Sequence, residues 1–405
     1  MEEKIHIWQF PLRTAYIKIE RNFRQNIVQN AINRSGSCAK LAEYVNYKSA
    51  NYGIHSGYGG SNTHEWKFGK KMDGMRREPF VPLWVFLECI CLNCEKVSES
   101  YDMVKRLEAN ILAYKELEMG NPITPRYLPI KVNPELDSIV FHLLGDGCFG
   151  GKGRCSSYKQ KNVVGRENFL MKLRNIFGNF DLNEKEYEEN WKVCIPSIIT
   201  RIIEKHYGIE SREKKRVPRK IMQKGKESKL AGLAAFIVDE GHVGDSIEMY
   251  ASNEELLNQI RDICVFLQYP CSQVLLKAKA GYRKHKLDHF RLRISLNAVE
   301  KIESDINELR KRYPTCYLAQ KQGLLERIVK RRAAPHKGMN GETRGKILAY
   351  LEKPKTAKQL GEILNVGGQT VREHLEILEK SGRIRRSGKT TNSILWLAQK
   401  SESLF

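Results

Sequence analysis

The chain has 405 residues, of which 41% are hydrophobic, so it is too long for one ordinary core and too apolar for a disordered protein. Lys and Arg number 69 against 47 Asp and Glu, and this net charge of +22 favours a polyanionic partner such as nucleic acid. No apolar run reaches the ~18 residues of a membrane-spanning helix, and residues 1–4 lack a signal-peptide pattern. We therefore expect a cytoplasmic or chromosome-associated protein with two or three domains and no membrane partner.

Two stretches predict the domain boundaries. Residues 120–125 contain two prolines and a glycine, which end a helix, and residues 330–338 are basic and poor in apolar side chains. The sequence thus predicts domains at 1–122, 123–330 and 340–405.

The first segment favours helices. Apolar residues follow helical spacing from Arg21 to Asn33 and again from Ser37 to Val45. The segment loosely resembles a repressor-type helix-turn-helix, which would make it a DNA-binding domain; a plain helical packing domain is the alternative. Three nearby cysteines lack a second Cys or His pair at zinc-ligand spacing, so we interpret them as buried thiols of an apolar helix. They are Cys89, Cys91 and Cys94.

The central segment contains an internal repeat. Each half, about 123–210 and 211–330, has an apolar helix that ends in an acid followed by glycine, at Asp146 and at Glu240. Strand and helix patterns then alternate in both halves. Small residues in the second helix, Gly232 among them, allow the two helices to pack closely and bring the acids together. Two facing carboxylates repel each other and favour a divalent cation between them, and oxygen ligands suit Mg²⁺.

These motifs resemble the LAGLIDADG homing endonucleases in their single-chain form. The resemblance implies an α+β fold: a pseudo-two-fold core of two αββαββα-type halves, flanked here by an N-terminal mainly helical domain and a C-terminal winged helix. It also implies that Asp146 and Glu240 bind the metal and are catalytic. By the same resemblance, Gln160 and Lys161 are auxiliary catalytic residues near the scissile phosphate. The first motif departs from the family in its bulk, at Phe141 and His142, so the helices must pack differently there.

The strands of the second half predict a DNA-binding face. Apolar residues alternate with Arg291 and Arg293, and Lys277 and Lys279 share a parity in the preceding stretch. A sheet with one apolar and one basic face can pack on helices and contact a DNA groove.

The last segment resembles a winged helix-turn-helix domain. Three amphipathic helices, the second with Thr356 as candidate N-cap, precede a β-hairpin. The family places its third helix in the DNA major groove, which implies base contacts and phosphate contacts from outward-facing residues. Expected at base edges are Gln369, Thr370, Arg372 and His374, and expected at phosphates are Arg385, Arg386 and Lys389. A winged helix that binds protein instead is the alternative.

Together these features predict a Mg²⁺-dependent, site-specific endonuclease of homing type that cuts double-stranded DNA. Because both motifs lie in one chain, we expect the core to act as a monomer. The main alternative keeps the fold and the DNA binding but does not cleave, as in a transcriptional regulator. An RNA maturase, which needs basic surfaces but not the acids, is the third interpretation.

Overall fold

The structure of the protein, a computed structural model, describes residues 3–72, 75–117, 120–150, 156–182, 191–209, 216–244, 246–279, 287–333, 340–390 and 393–399. The chain is α+β and divides into two compact units, Met1–Val329 and Lys330–Phe405. Among these described residues, none of the helices combines the length and the apolar content needed to cross a membrane.

The N-terminal part of the first unit packs helices against a three-stranded antiparallel sheet with strand order β5-β2-β6. Its elements are β1 (Lys4–Ile5), β2 (Ala15–Ile19), α1 (Arg21–Ser35), α2 (Cys38–Ser49), α3 (Gly60–Phe68), β3 (Lys70–Met72), β4 (Met75–Arg77), β5 (Val81–Pro82), α4 (Leu83–Asn93), α5 (Val97–Asn110), β6 (Ile111–Glu116) and β7 (Ile130–Lys131). The prediction of a mainly helical segment did not include this sheet, whose strands lie far apart in the chain.

Helices α2 and α3 are joined by residues 50–59, which is longer than the turn of about 3–4 residues in a helix-turn-helix. The first turn of α3 packs at the start of α2, where the Thr63 hydroxyl donates to the carbonyl of Cys38 over 3.2 Å. The helix-turn-helix character of this segment therefore stays a prediction.

The three clustered cysteines do not share one environment. Cys89 is buried in α4, as expected, whereas Cys91 is exposed and Cys94 lies beyond the end of that helix. The expected burial is wrong for Cys91, because α4 turns its last residues away from the core.

The central part of the first unit is built around two helices, α6 and α10. Its elements are α6 (Pro134–Leu144), β8 (Gly147–Cys148), β9 (Ser156–Lys159), α7 (Val163–Phe177), β10 (Lys192–Ile195), α8 (Ser197–Tyr207), α9 (Arg219–Met222), α10 (Lys226–Glu240), β11 (Gly241–Val243), β12 (Ile247–Ala251), α11 (Glu254–Phe266), β13 (Leu275–Ala278), β14 (His289–Ile294), α12 (Val299–Arg312) and α13 (Gln322–Ala333). One antiparallel sheet has the order β10-β9-β8 and the other β11-β12-β14-β13.

Helix α6 starts at a strong cap, because the Asn133 side chain accepts from the amide of Leu136 and Pro134 occupies the first turn. Its bulky side chains are accommodated by α10. A Cβ atom at Gly232 would lie only 2.3 Å from the Phe141 ring, so the ring fills the space that the glycine leaves. The local change in packing that the sequence predicted thus consists of a large residue on one helix facing a small residue on the other.

The N-terminal and central parts share one hydrophobic core across the predicted boundary at 122–123. The Tyr114 hydroxyl donates to the carbonyl of Phe177 over 2.8 Å, and the Lys205 ammonium donates to the carbonyl of Phe10 over 2.8 Å. Strand β1 also pairs with β7. The division of residues 1–330 into two domains stays a prediction.

The described residues of the second unit form three complete helices and a small antiparallel sheet. Its elements are α14 (Asn340–Tyr350), β15 (Lys355–Thr356), α15 (Ala357–Leu364), α16 (Gly368–Lys380), β16 (Ile384–Thr390) and β17 (Ser393–Ala398), with strand order β15-β17-β16. Thr356 caps α15 as predicted, since its hydroxyl accepts from the amide of Gln359. Asn365 then turns the chain with a φ of 52°. The apolar faces predicted for these helices form the core of the unit.

Candidate active site and nucleic-acid interface

The C-terminal ends of α6 and α10 are in contact. A Cβ atom at Gly145 would lie 2.9 Å from the Cβ atom of Asp239, so the two helix ends touch at these residues. Gly145 directly precedes Asp146, and Asp239 directly precedes Glu240. Asp146 and Glu240 directly follow this contact, and both are half-buried. The close approach expected from the sequence is therefore made by the residues adjacent to the acids.

Lys321 lies beside both helix ends. Its ammonium donates to the carbonyls of Ile237 and Val238 over 2.8 and 2.6 Å, and it also donates to the carbonyl of Gly241. These carbonyls belong to the last turn of α10 and the residue after it, where a cation is favourable. Burial lowers the pKa of Lys321, whereas the charges of Asp239, Asp146 and Glu240 raise it. All three acids thus act on one ammonium group.

Asp239 is the buried acid of this group. It accepts a hydrogen bond from the Tyr158 hydroxyl over 2.7 Å and lies 3.0 Å from Nδ1 of His142. On the other side of the imidazole, Nε2 lies 2.9 Å from Nζ of Lys172. The side chains of Asp239 and His142 are 0% exposed and Lys172 is 1% exposed.

Burial controls the protonation of this cluster. It raises the pKa of Asp239, and it lowers the pKa of Lys172 and that of His142. In each of these groups burial acts against the charged form, because taking an ion out of water is costly.

The two auxiliary residues predicted near the acids differ in position. The Gln160 amide donates to Oδ2 of Asp146 over 3.1 Å, so Gln160 reaches the candidate site. Lys161 instead places its ammonium over the ring of Trp191, 5.1 Å from the ring centroid. Nearby, the buried side-chain oxygen of Gln320 has no hydrogen-bond partner.

The residues at the helix ends fit a hard divalent cation, because Asp146 and Glu240 offer carboxylate oxygens that are half-open to solvent. Within the described ranges, no cluster of three or more His, Cys, Asp or Glu side chains has the arrangement of a metal site. A metal bound by these two acids would therefore need most of its remaining ligands from water or from a nucleic-acid phosphate.

The second sheet has the predicted alternation. Leu292 and Ile294 are buried, while Arg293 is exposed and Arg291 is half-buried. Both arginines lie near Glu248, at 3.6 Å for Arg291 and 3.9 Å for Arg293. One acid therefore offsets part of the basic face.

Strand β13 is irregular, because its register against β14 shifts between Leu276 and Ala278. Lys277 and Lys279 are both exposed, and Leu275 is 50% exposed beside them. Both lysines are accessible to a ligand, and their place on a DNA-binding face stays a prediction.

In the second unit, Gln369 and Arg372 are exposed on α16 and Thr370 is half-buried. His374 is also half-buried; burial lowers its pKa, and the charge of Arg344 on α14 lowers it further. Its Nδ1 atom has no hydrogen-bond partner. His374 is thus turned partly towards the domain interior.

The basic residues of the hairpin in the second unit are exposed, namely Arg385, Arg386 and Lys389. Arg386 pairs with Glu379 over 2.9 Å and lies over the Trp396 ring, 5.3 Å from its centroid. Arg386 therefore has internal partners with which a phosphate would have to compete.

Sequence reasoning missed the buried polar side chains at the helix ends, of which Asp239, Lys172 and Lys321 are the chief members. One signal was present: Lys172 falls at helical spacing between the buried Phe169 and Ile176, a position where lysine is rarely placed without a partner. Nothing in the sequence indicates its partner, since His142 and Asp239 lie on two other helices.

Comparison with known proteins identifies one domain. A family described as "Helix-turn-helix domain" matches residues 339–384, so the second unit contains a C-terminal helix-turn-helix. No curated protein matches the sequence.

Two solved structures resemble part of the chain. Mesophilic variants of the homing endonuclease I-DmoI align with 14% identity over 43% of this chain and 94% of that chain, with a TM-score of 0.29. A variant of I-DmoI in complex with its target DNA and in the presence of manganese aligns with 13% identity over 41% of this chain and 88% of that chain, with a TM-score of 0.27. At these scores the likeness carries no conclusion about activity.

Proposed function

We propose that the protein is a site-specific endonuclease of the LAGLIDADG homing type, which binds double-stranded DNA and cuts both strands with a divalent metal. The observation that carries this proposal is the contact of Gly145 with Asp239, because each of these residues directly precedes one of the two acids, Asp146 or Glu240. Two half-open carboxylates on paired helices can hold the divalent cation that metal-dependent phosphodiester hydrolysis uses.

The pseudo-two-fold core belongs to the same proposal. Helix, two strands, helix and strand follow one another from α6 to β10, and the same order recurs from α10 to β14 with one strand more. The first sheet is described with three strands and the second with four, and residues 183–190 lie outside the described residues. Each half would supply one acid and one sheet.

In this proposal Asp146 and Glu240 would hold Mg²⁺, which when bound supplies an activated water and stabilises the leaving oxygen. Gln160 would orient the Asp146 carboxylate through its amide, 3.1 Å away. The charge of +22 favours DNA binding as a whole. The second sheet would contact one stretch of DNA, with Arg291, Arg293, Lys277 and Lys279. The second unit would read another through Gln369, Thr370, Arg372 and His374, with Arg385, Arg386 and Lys389 near phosphates.

The proposal is tested by incubating the protein with fragmented genomic DNA of its host in Mg²⁺, and then mapping double-strand breaks. Wild-type protein is expected to cut at one or a few sites, and excess chelator should abolish the cutting. Asp146→Asn and Glu240→Gln should bind the same fragments without cutting. Specific binding by all three proteins, with no breaks in Mg²⁺ or Mn²⁺, would overturn the endonuclease.

That last result would support the second candidate, a non-cleaving DNA-binding regulator. The helix-turn-helix at residues 339–384 favours it, because such domains are common in regulators. Against it stand the two acids, since a protein that only binds DNA gains nothing from carboxylates facing the phosphates. An RNA maturase would be indicated by binding to structured RNA that DNA does not displace.

A further inference from the structure

Lys172, His142 and Asp239 form a buried chain of polar side chains that crosses three elements. Lys172 lies on α7, His142 on α6 and Asp239 on α10, with separations of 2.9 Å and 3.0 Å along the chain. Burying three ionisable side chains is costly unless each one is paired, and an apolar core at this place would be cheaper. Their presence therefore calls for a role beyond packing.

Asp239, the end of this chain, reaches the candidate site through two further hydrogen bonds. Its carboxyl accepts from the main-chain amide of Asp146 and from the hydroxyl of Tyr158 on β9. Tyr158 is two residues before Gln160, whose amide donates to the Asp146 carboxylate. Asp239 thus contacts the backbone of Asp146 and also the strand that carries its side-chain partner.

The steric fit at Gly145 allows Asp239 to lie this close to the end of α6. A Cβ atom at Gly145 would lie 2.9 Å from Oδ2 of Asp239, so α6 can approach only because this residue is glycine. The approach brings the Asp146 amide within reach of the buried carboxyl. A small apolar residue in place of Asp239 would fill less of this space and would accept neither hydrogen bond.

We propose that Asp239 is a positioning residue, which fixes Asp146 for metal binding through its main-chain amide and through Tyr158. The Lys172–His142 pair holds the Asp239 carboxyl in place from the opposite side. This inference rests on the proposed function in one respect, namely that Asp146 is a metal ligand. It assigns Asp239 no contact with the metal or with the DNA.

Helix α6, which precedes Asp146, provides a matched control near its N-terminal end. Asp137 is also fully buried and accepts from the Tyr207 hydroxyl and the Lys224 ammonium, both over 2.7 Å. Asp137 lies nine residues before Asp146, about 13 Å along the helix axis. Removing the Tyr207 hydroxyl therefore removes a similar buried hydrogen bond far from the candidate site.

The experiment compares Tyr158→Phe and Asp239→Ala with the control Tyr207→Phe. Amide hydrogen exchange over residues 141–149, measured without metal or DNA, reports the order of the Asp146 segment. Titration calorimetry with Mn²⁺ reports metal affinity, and thermal unfolding reports stability. We expect exchange about tenfold faster in the first two variants and Mn²⁺ affinity about 10–100-fold weaker. Tyr207→Phe should lose comparable stability and change neither quantity.

Two outcomes would overturn the proposal. One is exchange over residues 141–149 that is the same in Tyr158→Phe, Asp239→Ala and Tyr207→Phe. The other is faster exchange with unchanged Mn²⁺ affinity. If wild-type protein binds no Mn²⁺ and cuts no DNA, the proposed function fails, and the exchange comparison alone then decides whether Asp239 fixes the Asp146 segment.

Discussion

Helices α6 and α10 end in the same way but differ along their contact. Helix α6 carries the large Phe141 and His142, whereas α10 carries Ala231, Gly232, Ala234 and Ala235. In a symmetric pair both helices would be small at the contact. Here the Phe141 ring lies over Gly232, and at the end of the pair the sizes are reversed, with Gly145 on α6 against Asp239 on α10.

The two helix ends are also held by different groups. The end of α10 is capped by the Lys321 ammonium, which comes from a segment beyond α12. The end of α6 is held by Asp239, a residue of the partner helix. Two similar motifs can therefore bring their acids to one place although different groups hold the two helix ends.

Gly232→Ala is expected to have the largest effect on the contact between α6 and α10. The added methyl group would meet the Phe141 ring at 2.3 Å, and this ring is itself fully buried. We expect the free energy of unfolding to fall by about 3 kcal/mol, measured by urea denaturation. Adding Phe141→Leu should recover part of this loss, since the smaller side chain gives the methyl group space.

A matched glycine serves as the control for that substitution. Gly323 lies in α13, and a Cβ atom there would meet no neighbouring group within 4 Å, so Gly323→Ala should be neutral or stabilise by about 0.5–1 kcal/mol. Equal effects of the two substitutions would show that helix propensity, and not the Phe141 contact, decides the result.

The next effect is expected from Lys321→Met, which keeps the length of the side chain but removes the cap of α10. The Val238 carbonyl would lose the Lys321 donor, and the Ile237 carbonyl would keep only the Gly241 amide, at a cost of about 1–2 kcal/mol in urea denaturation. Exchange should rise at residues 238–243 and not at 141–149. Lys321→Arg should recover part of the stability. A uniform rise in exchange at both helix ends would contradict the separate supports.

The sequence was a good guide to elements with a long periodic pattern. It predicted the apolar helices before Asp146 and Glu240, the Thr356 cap and the core faces of the second unit, because each depends on residues close together in the chain. The sheet of β2, β5 and β6 escaped prediction because its strands lie far apart in sequence.

The residues of the candidate site also differ in how far the sequence could predict them. Asp146 and Glu240 could be proposed from a local motif, and Gln160 from its place after a strand. The partners of Asp239 come from α6 and β9, and Lys321 follows α12, so only the folded chain brings them together. A buried polar network of this kind has no local signature beyond a charged residue on an apolar helix face, as at Lys172.

The smallest effect is expected from a change of pH, which acts through His142. Helix α6 carries this histidine at its contact with α10, whereas α10 contains no histidine. Burial and the Lys172 charge keep the pKa of His142 well below its ordinary value of 6.5. Below pH 6.5 the unfolded chain therefore binds a proton that the folded chain does not, and stability falls as the pH falls. We expect a loss of about 1 kcal/mol between pH 6.5 and 5.5 in urea denaturation, reduced in His142→Gln.

His206, whose pKa burial lowers to about 4, adds a similar slope, so the curve of the variant should flatten without becoming level. If His142→Gln keeps the full wild-type slope, burial does not keep the imidazole neutral at the contact.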